Sequence, residues 1–305
     1  MKKLLYVTAS LLMIGFSYQS TAQTTLKFNF PKGNVVIYKS LNTMNLTVKG
    51  SGMSSDMSTS SNFTFKSLGE SAGLTNIEYT MLNNKMSSTG AASMNINSDD
   101  EITDSISTQG AIALLYKEMC NTPFVIYVNP KGEVVQDKGF KEWIKLHKKQ
   151  IANMKDAAGG SSKGSFDQNT FKQSFSSLFN ILSDKPVKVG SKWKKKNTIS
   201  ASGISMNFDN TYIIDSLDEH VAVIKIVSDI YAHSVMESMP DVSISILGEA
   251  KGRMWLDVAT GMVIKQTSDA HIESKPEVKG GAGAGMGNEM PVTIIESNST
   301  IEAAK

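Results

Sequence analysis

Residues 243–258 alternate with a period of two. Ile244, Ile246, Ala250, Met254, Leu256 and Val258 fall on one side, and Ser243, Ser245, Glu249, Lys251, Arg253 and Asp257 on the other. That is the signature of an antiparallel strand with one wet face. Asp257-Val258-Ala259-Thr260-Gly261 then supplies turn chemistry and the alternation resumes over 262–272, which predicts a long hairpin. The same period recurs over 26–30, 36–48, 206–214 and 222–232. Ile77, Tyr79 and Met81 mark another strand, 292–301 the last, and 122–140 a hairpin around Asn129-Pro130-Lys131-Gly132. Helical spacing is confined to the middle. Phe140, Trp143, Ile144, His147, Ile151 and Met154 form one apolar stripe; Phe171, Phe175, Leu178, Phe179 and Leu182 form a second, after the capping-box pattern Ser165-x-x-Gln168 and before Pro186. A shorter helix is expected over 109–119, and AAGGSSKG at 157–164 reads as a connector.

These elements predict an α+β fold: a large curved antiparallel sheet, half-barrel-like, built from both ends of the chain, with two or three central helices packed on it. Residues 23–305 read as a single β-rich domain with a central helical segment at about 109–183. Its two β halves, 23–100 and 186–305, share features: Ser67-Leu68-Gly69-Glu70 aligns with Ser216-Leu217-Asp218-Glu219. Duplication and shared turn chemistry both account for that match.

The start of the chain changes the picture of where the protein works. Lys2 and Lys3, an apolar stretch over 4–16 and the small-x-small run Ser20-Thr21-Ala22 describe a secretory signal peptide over 1–22, cut before Gln23. Its apolar run is too short for a membrane span, and no later segment approaches one. The expected mature protein is therefore exported, periplasmic or secreted, without a transmembrane span. The whole formal charge of +2 resides in those two lysines, so residues 23–305 are formally neutral.

Cys120 is the single cysteine of the chain. The hairpin and helix around Pro130 have the order seen near the end of thioredoxin-like domains. Thiol exchange, however, needs a second cysteine to lower the attacking thiol's pKa. Cys120 reads instead as a small buried apolar residue. Other chemistries lack their patterns as well. His147, His220, His233 and His271 are too scattered for a metal motif; the G-x-S-x-G matches at Gly69 to Gly73 and Gly160 to Gly164 fall in a strand-to-strand turn and in the connector, not on a strand-to-helix elbow; and GGAGAGMG at 280–287 lacks the Lys-Ser/Thr of a phosphate loop and reads as a hairpin tip. Asp99, Asp100, Glu101 and Asp104 form an acidic patch without the spacing of a calcium loop. No catalytic, cofactor-binding or metal residue is assigned, and a non-enzymatic role is expected.

Two compositional features remain. Residues 131–196 hold 15 lysines against six acidic residues. Within them Lys141, Lys145, Lys148, Lys149 and Lys155 lie on the polar side of the first helical stripe, and Lys192, Lys194, Lys195 and Lys196 follow in a cluster. Either this is a solvated face or an anion-binding surface for lipid headgroups, acidic glycans or an acidic envelope partner. Nucleic acid is not expected, for want of interleaved stacking aromatics. The second feature is methionine, with Met44, Met53, Met57, Met81, Met86 and Met94 crowded in the first β block. They suit either an irregular core or a cavity that adapts to its ligand.

With PVKVGSKWKKKNTIS (186–200), NPKGEVVQDKGF (129–140) and GEAKGRMWLDVATGMVIK (248–265), the chain resembles a family of exported Bacteroidetes proteins catalogued as a domain of unknown function. The resemblance spans nearly all of residues 23–305 and transfers no catalytic residue. More distantly, the hairpin around Asp257 to Gly261 looks like those of periplasmic lipoprotein-carrier half-barrels, which hold acyl chains in a concavity. Together these imply an exported binding protein for an apolar or amphiphilic, lipid-like ligand. The alternative is a structural or interaction protein of the envelope docking through its basic surface.

Overall fold

The computed structural model describes residues 23–90, 93–102, 107–157, 168–201, 204–236, 239–278 and 291–304. The signal segment, Asp104, Ser165 of the capping box and the glycine run at 280–287 lie outside them. Alternation becomes β1 (Val35–Val48), β2 (Met53–Ser71), β3 (Leu74–Ser88), β4 (Met94–Asn97), β5 (Pro123–Val128), β6 (Val134–Lys138), β7 (Lys192–Ala201), β8 (Ile204–Leu217), β9 (Val221–Met236), β10 (Met239–Asp257), β11 (Val263–Val278) and β12 (Thr293–Ala303). All join one twelve-stranded sheet in the order β6-β5-β3-β2-β1-β12-β11-β10-β9-β8-β7, with β4 beside β3. The sheet is open, its edges being β6 and β7, and its ladders are antiparallel. Both ends of the chain contribute to the sheet as expected, and the first long strand pairs with the last in mid-sheet, Tyr38 opposite Ala303.

The helical segment divides more finely than the stripes predict. It forms α1 (Thr108–Met119), α2 (Phe140–Leu146), α3 (Lys148–Ala157), α4 (Gln168–Ser174) and α5 (Ser176–Phe179). The expected continuous helix over 140–154 breaks at His147, which leaves the helical conformation (φ −99°, ψ 15°) while its ring stacks on Trp143 and its Nδ1 lies 2.8 Å from the Trp143 carbonyl. A side chain bonded to its own turn competes with continuation of the helix. Residues 26–30 are a second departure. Leu26, Phe28 and Phe30 are all buried, as the alternation predicts, but the segment joins no ladder. It lies across the sheet's end instead, held by Asn29 N–H on the Thr260 carbonyl (2.9 Å), the Ser67 hydroxyl on the Phe30 carbonyl (2.7 Å) and an isolated bridge from Thr24 to Val187.

One face of the sheet is covered at one end by these pieces. Phe65, fully buried, meets Phe175 at 5.8 Å and Phe179 at 5.1 Å, while Phe171 stacks on Phe140 at 3.9 Å and meets Tyr79 edge-on. Such aromatic contacts contribute beyond area burial, and here they join helices, β2, β3 and β5 in one core. The helices also span the gap between the sheet's edges. α4 packs on both β6 and β7, Gln168 donates to Asp137 of β6 (2.6 Å), and the indole of Trp193 on β7 donates to the Ile181 carbonyl (2.8 Å). Gly132, at φ +84°, lets the β5–β6 turn press against the Phe179 carbonyl, where a Cβ would lie 1.8 Å from the oxygen.

The two β blocks repeat one hydrogen-bond pattern. Gly33 N–H and Ser67 N–H exchange bonds with Ser67 and Asn34 carbonyls, as Gly190 and Ile214 do with Ile214 and Ser191. Each pattern is followed by a bulge at the same distance, Ser67/Gly69 in one block and Ile214/Ser216 in the other. Ser67 therefore corresponds to Ile214, two residues before the partner suggested by the Ser-Leu motif. The bulge and turn set the register, and the letters do not.

Candidate ligand face

Directly opposed residues of an antiparallel ladder share a face, and alternate residues change face. Buried Tyr38 thus fixes the inner side of β1 as the even positions, and the registers carry that side across the sheet. Above the aromatic core the first inner row is Asn84, Ser61, Ser40, Ile301, Gln266 and Met254. The next, Thr59, Asn42, Ser299 and Ser268, is again hydroxyl and amide, before Gly252 and Ile226. Beyond it chemistry changes: Met57 and Met44 open one row, Leu46, Ile295, Ile272, Ile230 and Phe208 occupy another, and Val48, Ile246 and Ala232 the last.

This wall is graded in exposure. Ile230, Ala232 and Ile246 are buried, whereas Met44, Leu46, Met57, Ile272, Ile295 and Phe208 are half-exposed. Two glycines of β10 let the neighbouring strand's backbone approach closely. A Cβ on Gly248 would lie 2.6 Å from the His271 carbonyl and one on Gly252 2.4 Å from that of Thr267. The methionines of the first β block divide accordingly. Met81 packs against the core, while Met44, Met57, Met86 and Met94 line the half-exposed inner face and Met53, 54% exposed, stands at its rim.

The lysines singled out from the sequence form two groups. Lys141, Lys145, Lys148 and Lys149 are exposed on α2 and α3, which pack on each other and, through α3, on α1. The second group lies on β7, whose neighbours are β8 and α4, and strand alternation splits it. Lys192, Lys194 and Lys196 project outward, Lys196 onto Asp209 at 3.0 Å. Lys195 turns inward, its side chain 14% exposed, to Asp184 at 3.4 Å. Asp184 also lies 3.9 Å from Lys131, so this carboxylate ties the two edges of the sheet.

Cys120 caps α1, its N–H on the Tyr116 carbonyl, and is half-buried rather than buried. Desolvation holds its thiol above the ordinary range, against a hydrogen bond from Ser98 that lowers it. A raised pKa leaves little thiolate and gives the sulfur no activation. Asp99, Asp100 and Glu101 sit beside a cleft of about 440 Å³ between β4 and the start of α1, and among the described residues no cluster of His, Cys, Asp and Glu has metal-binding geometry. A second cleft of about 380 Å³ opens mainly on the outer face, around Thr43, Asn45 and Glu296. Among the described residues no helix is long and apolar enough to cross a membrane.

The fold and its inner wall define an open antiparallel sheet plugged at one end by helices. A family model described as a family of unknown function, DUF6263, matches residues 72–263, and the chain belongs to that family. No curated protein matches. Among solved structures, the chain is similar to one titled "Lipid-protein interactions in lipovitellin", at 10% identity and TM-score 0.47, over 91% of this chain and 26% of that one. It thus spans about a quarter of that protein's length. Others are Salmonella typhi OmpF (8% identity, TM-score 0.23, 90% of this chain and 100% of that one) and the translocator domain of the autotransporter NalP from Neisseria meningitidis (6%, 0.22, 90% and 89%). Nothing about this chain's ligand follows from them.

Proposed function

We propose that this protein is an exported, non-catalytic binding protein that holds an apolar or amphiphilic ligand against the inner face of its sheet. The observation that carries this reading is the half-exposed wall of Met44, Met57, Leu46, Ile272, Ile295 and Phe208, beyond a core end already filled by Phe171, Phe175 and Phe179. Apolar area taken from water there is worth about 25 cal/mol per Å². Flexible thioethers adapt to ligands of varied shape. The row of Leu46, Ile295, Ile272, Ile230 and Phe208 runs across the strands, and from β1 to β8 five strand spacings of about 4.8 Å give a track of about 24 Å. No catalytic group is needed for such binding.

The test is native mass spectrometry with lipid extraction of the purified protein, together with titration of the uncharged apolar dye Nile red. Co-purifying lipid, or saturable dye binding that Leu46→Asn and Ile272→Asn weaken, is the expected result. Absence of both, with attachment to anionic vesicles that disappears at high salt, would replace this reading by docking through the exposed lysines of α2 and α3.

A further inference from the structure

The inner face differs from the outer in a property that bears on what it binds. Across the paired positions of β1 to β3 and β8 to β12, no inward-facing residue from the aromatic core through the apolar wall is charged; Glu70, exposed opposite Thr75 past the bulge at the other end of β2, is the exception. The outward positions of the same strands carry Lys39, Glu78, Lys225, Arg253, Lys265 and Glu273 among others. The other charged inward residues, among the described residues, stand at the sheet's two edges: Asp137 on β6, with one oxygen on Gln168 and the other buried without a partner, and Lys195 on β7 with Asp184. The inner wall is not apolar throughout, however. Its hydroxyl and amide rows flank the methionines, Ser40 and Ser61 already bonded to each other at 3.2 Å, and Gln266 keeps a buried amide oxygen without a partner among the described residues.

Resting on the binding reading above, we infer that the ligand is an uncharged amphiphile, with a hydrocarbon chain along the methionine and aliphatic rows and a hydroxyl- or ester-bearing head, as in an acylglycerol, against Asn42, Thr59, Ser268 and Gln266. A head that enters as an ion loses water and finds no opposite charge within the wall, a heavy cost. A hydroxyl both donates and accepts, and so matches serine, threonine and amide groups in either orientation. The lysines outside the wall do not change this balance. Lys192, Lys194 and Lys196 lie on the far side of β7, and Lys195 is held by Asp184.

Displacement of Nile red from the protein at pH 8 by three competitors of equal chain length tests the assignment: a fatty acid, its methyl ester and the corresponding monoacylglycerol. At that pH the acid is ionised. The ester and monoacylglycerol are expected to displace the dye at concentrations at least about tenfold lower than the acid, a ratio worth about 1.4 kcal/mol, and one that salt does not alter. Asn42→Lys, at an exposed position of the wall, is expected to shift the preference toward the acid while leaving the melting transition in place. Dye binding with equal or better displacement by the acid, or an unchanged preference in Asn42→Lys, would overturn the neutral-head inference and leave the binding function standing. Failure of the dye to bind, with no lipid co-purifying, would remove both, and a co-purifying lipid with a charged head would overturn the neutral-head inference alone.

Discussion

Strand β1 passes through two environments. At one end Tyr38 is 1% exposed, its hydroxyl on the Val263 carbonyl at 2.6 Å and its ring stacked on Phe63. A few residues on, the same inner side presents Met44 and Leu46 half-exposed, with no described helix packed on β1. The alternation is identical in both places, so period alone does not make a core. The difference lies in what the rest of the chain supplies. Its helices and the segment 26–30 bring aromatic and aliphatic side chains to the Tyr38 end, whereas beyond it, among the described helices, α1 packs on β4 at the margin of the sheet.

The largest expected effect breaks that contrast directly. Phe65→Ala removes a ring in contact with Tyr38, Phe63, Tyr79, Phe175 and Phe179 and is expected to cost about 3–5 kcal/mol. Met57→Ala, at the half-exposed end, should cost about 1 kcal/mol or less and lower ligand affinity instead. Equal losses in denaturant melts would abolish the distinction between the two ends. Gly132→Ala comes next. The added Cβ meets the Phe179 carbonyl in a left-handed backbone, so a loss of about 1–3 kcal/mol is expected from crowding, with loosening of the helical plug visible in amide exchange of α4 and α5.

The closed end also has a pH signature. Burial raises the phenol pKa of Tyr38, Tyr79, Tyr116 and Tyr212 above the ordinary value near 10, foremost by desolvation. Above that value the unfolded chain releases protons that the folded protein keeps. The associated stability is full below about pH 10 and is lost as pH rises further. Tyrosinate absorbance from these four side chains is expected to appear together with loss of β circular dichroism. Ordinary titration of all the tyrosines in a still-folded protein would mean that the Tyr38 end is not sealed.

Much of this was legible because strands and helices write their periods into the chain. Alternation over 243–258 and 262–272 located a long hairpin, and the Phe171-to-Leu182 stripe identified the plug. Three things were not legible. The inner wall is assembled by ladders between residues as distant as Leu46 and Ile295, and no local pattern reports which rows adjoin. The lysine cluster at 192–196 looked like one surface because adjacency in sequence hides the alternation that sends Lys195 inward and its neighbours outward. The helix break at His147 was missed for a related reason: a stripe records which face is apolar but not whether a side chain has bonded to its own turn.

The smallest effect on stability bears most directly on why methionine is used twice. Met254, fully buried between Ile224 and Gln266 in the sheet, has one shape of space to fill, and Met254→Leu, near in volume but branched, is expected to cost up to about 1.5 kcal/mol. Met57 and Met44 stand opposite each other on the half-exposed wall, with solvent on one side. There the same exchange forces no repacking and should leave the melt within about 0.5 kcal/mol. What it removes is the adaptability of two unbranched thioethers. The Met44→Leu/Met57→Leu variant should therefore melt like the wild type yet bind a narrower set of chain lengths in a dye-displacement series. An unchanged range would assign these methionines to filling space alone, and a stability loss matching Met254→Leu would show that the wall is as tightly packed as the core.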